Sequence, residues 1–141
     1  MRDRLTHALA LGQGLYFFTT GVWPLFSMRT FEAVTGPKVD RWLVKTVGVL
    51  VGVIGAVLTM AGARRRVEPE IAVLAAGSAA GLAAVDTVYA TKGRISKIYL
   101  LDAVVEVALI AAWALAASQV SRAGAASRRS TRPARRGAGT A

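Results

Sequence analysis

Apolar positions gather into four long runs, at about residues 7–28, 41–61, 70–90 and 98–119, with short polar segments between them. Each run is about 20 residues long, which is what an α-helix needs to cross a hydrocarbon core. Connections this short join antiparallel neighbours. The pattern therefore predicts an all-α polytopic membrane protein, an antiparallel four-transmembrane-helix bundle over residues 1–120. The first run is not a signal peptide. It carries Gln13, Tyr16, Thr19 and Thr20 and ends in Trp23-Pro24 without a small-x-small cleavage site. Gln13, Tyr16, Thr20 and Trp23 recur at spacings of three and four, so they share one face, which the pattern turns inward. Pro24 kinks or ends that helix.

Residues 27–40 read as a loop with a short interfacial helix over 29–34, where Arg29 and Glu32 stand three apart. Gly36-Pro37 stops it, and Asp40 stands where it can cap the next helix. In the second run, Arg41, Lys45, Gly48, Gly52, Gly55 or Ala56, and Thr59 lie on one stripe, while Leu43, Val47, Leu50, Ile54 and Leu58 cover the other side. Small residues four apart let helix backbones approach in lipid, so this stripe is read as the packing face. Lys45 is then either aimed into the interior or snorkelling to the interface. The third run is almost entirely Ala, Gly and Val and is small enough to pack on more than one side. It closes on Asp86 and Tyr89, and the fourth carries Tyr99, Asp102 and Glu106.

Charge adds orientation to this picture. Formal net charge is +10, from 18 Lys and Arg against 8 Asp and Glu, with 54% hydrophobic residues and a mean hydropathy of +0.45. Arginines dominate the N-terminus, the middle loop (Arg64, Arg65, Arg66) and the tail, eleven in all, against seven Lys and Arg in the other two loops and adjoining turns. The excess places both termini on the cytoplasmic side of an inner (plasma) membrane, and the composition has a bacterial cast. Residues 121–141, rich in Arg, Ser, Ala and Gly and without an acid, read as a disordered basic tail facing anionic lipid rather than nucleic acid. There is no cysteine and one histidine, His7, so thiol chemistry and a histidine- or cysteine-built metal or haem site are not expected, and no cofactor is called for.

Three carboxylates inside apolar runs are the chemical signal. An acid at the centre of a membrane helix costs roughly 2.5–3.5 kcal/mol on insertion scales, so each calls for a partner or a task. Asp86 lies five residues before Thr91 and Asp102 five after Lys97, which sets them at nearly equal depth on neighbouring helices. Glu106 follows one turn deeper. The expected layer comprises Arg41, Lys45, Asp86, Tyr89, Tyr99, Asp102 and Glu106, two cations against three carboxylates. The balance comes from another arginine, from a protonated carboxyl or from a cationic ligand. No catalytic residues are assigned.

The runs WPLFSMRTFEAVTGPKVDRWLVKTVG (23–48) and ISKIYLLDAVVEVALIAAWA (95–114) resemble those of uncharacterised small bacterial four-helix integral membrane proteins, which implies the fold and no activity. In size and span number the chain is also similar to the small multidrug-resistance transporters. Their proton-coupling glutamate lies in the first span, where this chain has Gln13 and no acid. Three functions follow. The first is a non-enzymatic accessory or interaction protein whose polar layer is structural or meets another membrane protein or a second copy. The alternative is a small proton-coupled transporter or ligand-binding bundle for a cationic or lipid-like molecule, with Asp102 and Glu106 exchanging a proton. The third, a membrane enzyme with a carboxylate acid or base, finds no triad, metal or phosphate-loop pattern to support it.

Overall fold

The computed structural model describes the backbone of residues 2–130 and the side chains of residues 4–118. Among the described residues the chain is all-helical, with five helices: α1 (Arg2–Phe26), α2 (Met28–Thr35), α3 (Arg41–Ala63), α4 (Pro69–Thr91) and α5 (Tyr99–Ser130). Three of them, α3, α4 and the first part of α5, are long and apolar enough to cross a membrane. Their outward side chains fit lipid. Leu50 and Val53 on α3, Val73 on α4, and Leu101, Val104 and Leu115 on α5 are all more than half exposed. α5 continues to Ser130, past the expected end of the fourth run near residue 119. The side chains expected to form a basic tail lie outside the described residues.

Helix α1 continues through Pro24 to Phe26, because a missing N–H so near the C-terminus breaks little of the ladder. It packs along α3 almost backbone to backbone. A Cβ built on Gly55 would meet the Gly14 carbonyl oxygen at 2.7 Å and Phe18 Cα at 2.8 Å; one on Gly62 would meet Leu11 N at 2.6 Å. Gly21 faces Gly48 and Gly52 in the same way, so the two helices run in opposite directions along a seam of glycines. The Pro24 ring lies against Gly48, and there the seam ends. Arg41 and Lys45 share the stripe but lie beyond the last residues of α1, and both are exposed.

The other half is built from α4 and α5. Ala75, Ala79, Ala83, Asp86 and Ala90 form the buried stripe of α4, against Ala103, Glu106, Trp113 and Ala116 of α5. Ala10, Leu58, Ala75 and Trp113, one from each long helix, meet in a common core. Gln13 fastens it. Its Nε2 donates to the Ala75 carbonyl (2.8 Å) and its Oε1 accepts from Trp113 Nε1 (2.8 Å), so both ends of a buried amide are satisfied.

The connections follow from their residues, with two departures from expectation. Ser27 caps α2 by accepting from the Thr30 N–H, and Gly36, at φ 84°, ends it in a conformation a Cβ would disfavour. Asp40 stands at the N-cap of α3 but makes no side-chain cap bond. Glu32 pairs with Arg41, not with Arg29, because the turn at Gly36-Pro37 folds the start of α3 back over α2.

Candidate functional site

Asp102 sits in the first turn of α5 and Glu106 one turn on, so helical spacing puts both on the face turned towards α1 and α4. From α1, the Tyr16 hydroxyl donates to Asp102 Oδ1. From α4, Asp86 lines the same cavity as Asp102. Glu106 is 1% exposed and Asp86 6%, and one oxygen of each, Glu106 Oε2 and Asp86 Oδ2, is buried without a hydrogen-bond partner. Each of the three carboxyls lies close enough to interact electrostatically with the other two. Such orphaned oxygens are expensive in an apolar surround, and they mark a place prepared for a proton or a cation.

The cations expected in this layer are elsewhere. Arg41, whose side chain is 65% exposed, grips Glu32 through Nε and Nη2, both at 2.8 Å. This fork holds the Glu32 carboxyl below its usual range, with the bond from Arg41 the largest cause and the bond from the Lys38 N–H adding to it. Lys45 is exposed on α3, and Tyr89 is about half exposed on α4. The structure thus brings Asp86, Asp102, Glu106 and Tyr99 together and sets Arg41, Lys45 and Tyr89 apart from them. A helical-stripe argument assumes the facing helix runs the full length, and α1 stops opposite Gly48. Among the described residues, no Lys, Arg or His forms an ion pair with Asp86, Asp102 or Glu106. Nor do any described side chains form a group of three or more arranged to hold a metal ion.

Two cavities flank Asp102. The larger, about 310 Å³, is mostly apolar, walled chiefly by α1, α3 and α4, with Thr20, Phe31, Lys38, Asp86, Tyr99 and Asp102 as its polar or aromatic members. The second, about 270 Å³, lies between α1, α2 and the start of α5 and is rich in aromatic rings: Tyr16, Trp23, Phe31 and Tyr99. Thr20, Phe31, Tyr99 and Asp102 line both. Tyr99, an expected member of the layer, is thus part of the partition, and its ring lies under the Lys38 ammonium, 4.6 Å from Nζ to the centroid.

Sequence reasoning missed Lys38 and Phe31 as wall residues, since loop and α2 positions carry no periodicity that says what they cover. Tyr16 was legible as inward-facing from its spacing with Gln13, but its bond to Asp102 was not. In chemical terms the arrangement offers three carboxyls in a water-poor setting with apolar volume beside them. No protein-family model matches the chain, and neither a curated protein nor a solved structure is significantly similar to it.

Proposed function

We propose that the chain is a multi-pass protein of a bacterial inner membrane, an antiparallel bundle of four spans with both termini cytoplasmic. On this reading it takes a small organic cation into the cavity beside Asp86 and Asp102 in exchange for a proton. α1 is the fourth span: it is 25 residues long, turns Leu11, Leu15 and Phe18 outward, and follows α3 along the glycine seam. The observation that carries the reading is the pair of buried, unpartnered oxygens on Asp86 and Glu106, in a cluster of three carboxyls with no cation paired to it among the described residues. An ammonium entering the cavity supplies the missing charge and takes the place of a proton on the carboxyls.

The test is titration calorimetry of the protein in lipid nanodiscs with benzyltrimethylammonium, in two buffers of different ionisation enthalpy. Binding with release of about one proton per cation is expected, and loss of both in the Asp102→Asn, Glu106→Gln double variant. Binding without proton release, or no binding in wild type, overturns the exchange. The latter leaves the accessory-protein reading, which the contact of Tyr16, Asp102 and Asp86 across three helices also supports, as a polar tie that fixes register. Topology is tested separately. The chain has no native cysteine, so single cysteines at exposed Arg4 and Val39 should label from opposite sides of sealed vesicles, and labelling from one side removes α1 as a span.

A further inference from the structure

Among the described residues, Lys38 is the one cationic side chain lining either cavity. It follows Gly36-Pro37 on the α2–α3 connection, and the chain around it is fixed: its N–H donates to Glu32 Oε1 (3.2 Å), and that same carboxylate is clamped by Arg41. Its ammonium is held much more lightly. Nζ donates to the Thr35 carbonyl (3.0 Å) and lies over two rings, 4.6 Å from the Tyr99 centroid and 5.9 Å from that of Phe31, while forming no ion pair with a carboxylate. An ammonium has three donors, and only one is spoken for by a hydrogen bond. Aromatic faces stabilise the remainder weakly when the site is open. The side chain therefore combines a rigid root with a loosely seated charge at a cavity that Asp86 and Asp102 also line.

We infer that Lys38 is a tethered occupant of the cation site: its ammonium holds the cation position on Tyr99 in the empty protein, and an incoming organic cation reaches Asp102 by displacing it. The inference rests on the cation-binding reading above and gives that site its selectivity. A ligand must bring enough apolar surface to fill the cavity and outweigh an internal competitor of the same charge. A bare inorganic cation does neither. The displaced lysine keeps its backbone anchor on Glu32, so it returns when the ligand leaves.

Two measurements on the full chain in nanodiscs test this. Benzyltrimethylammonium should bind Lys38→Met about tenfold more tightly than wild type, in keeping with removal of one like charge several ångströms away, and Lys38→Arg within about twofold of wild type. In wild type, acetylation of Lys38 by acetic anhydride, followed by mass spectrometry with Lys45, Lys92 and Lys97 as internal references, should quicken several-fold at saturating benzyltrimethylammonium. This second measurement needs no variant to fold. Equal or weaker binding by Lys38→Met, or Lys38 acetylation unchanged or slowed by the ligand, overturns the role of Lys38. If wild type binds, Asp102→Asn does not, and Lys38→Met equals wild type, the cation site stands and only the tethered occupant falls. No binding by either wild type or Lys38→Met overturns both.

Discussion

Replacing Gly55 by Ala should open the α1–α3 seam. The added methyl would meet the Phe18 amide nitrogen, the Gly14 carbonyl oxygen at 2.7 Å and Phe18 Cα at 2.8 Å, where ordinary contact begins at 3.4 Å. All three are backbone atoms of a helix, so no rotamer change relieves them. The Gly14 oxygen alone requires the helices to separate by about 0.7 Å and the nearer Phe18 nitrogen by more, and a gap of about 0.5–1 Å forfeits roughly a quarter to a half of each dispersion contact along the seam. Overpacking of a close-packed interface typically costs about 1–3 kcal/mol, and a backbone-to-backbone site belongs at the upper end, about 2–3 kcal/mol. Gly77→Ala is the control. Nothing lies within 4 Å of its built Cβ, so the change should fall within about 0.5 kcal/mol of wild type or gain slightly from helix propensity. Reversible unfolding in mixed SDS–detergent micelles, followed by far-ultraviolet circular dichroism, measures both. A Gly55→Ala protein as stable as wild type, or a Gly77→Ala protein equally weakened, refutes the reasoning.

Two further expectations concern the polar ties. Gln13→Leu leaves the buried Trp113 Nε1–H without its acceptor and should lower unfolding free energy by about 1–3 kcal/mol in the same assay, whereas Gln13→Glu, which keeps an acceptor, should retain part of that bond at the expense of a buried charge. Glu32 should titrate below a free glutamate because Arg41 donates to it, so its stabilising contribution is present above the ordinary carboxylate range and is lost as pH falls through the lowered value. Carbon-13 NMR of the Glu32 carboxyl should show the lowered midpoint in wild type and its return towards about 4.3 in Arg41→Ala. No upward movement on removing Arg41 would refute that cause.

Much of the architecture is written locally. Apolar runs of about 20 residues determine helices, because a chain in lipid must satisfy its own backbone hydrogen bonds. Glycines four apart on α3 announced a close-packed face, and α1 occupies it. Equal distances from the α4–α5 turn set Asp86 and Asp102 at one depth, and both line the larger cavity. Gln13, Tyr16 and Thr20 shared a face by spacing alone.

Tertiary structure decided which charges face which. Arg41 and Lys45 belong to the glycine stripe by periodicity, yet α1 ends at Phe26 and the chain turns back at Gly36-Pro37, so the basic end of that stripe lies past the glycine seam and Arg41 goes to Glu32 of α2. The same turn carries Lys38, which no period could place, over the ring of Tyr99 at the cavity wall. Periodicity reports the direction of a side chain about its own helix axis. Whether that direction ends in protein, lipid or a cavity depends on where the neighbouring helix stops, and that depends on the packing of all of them together.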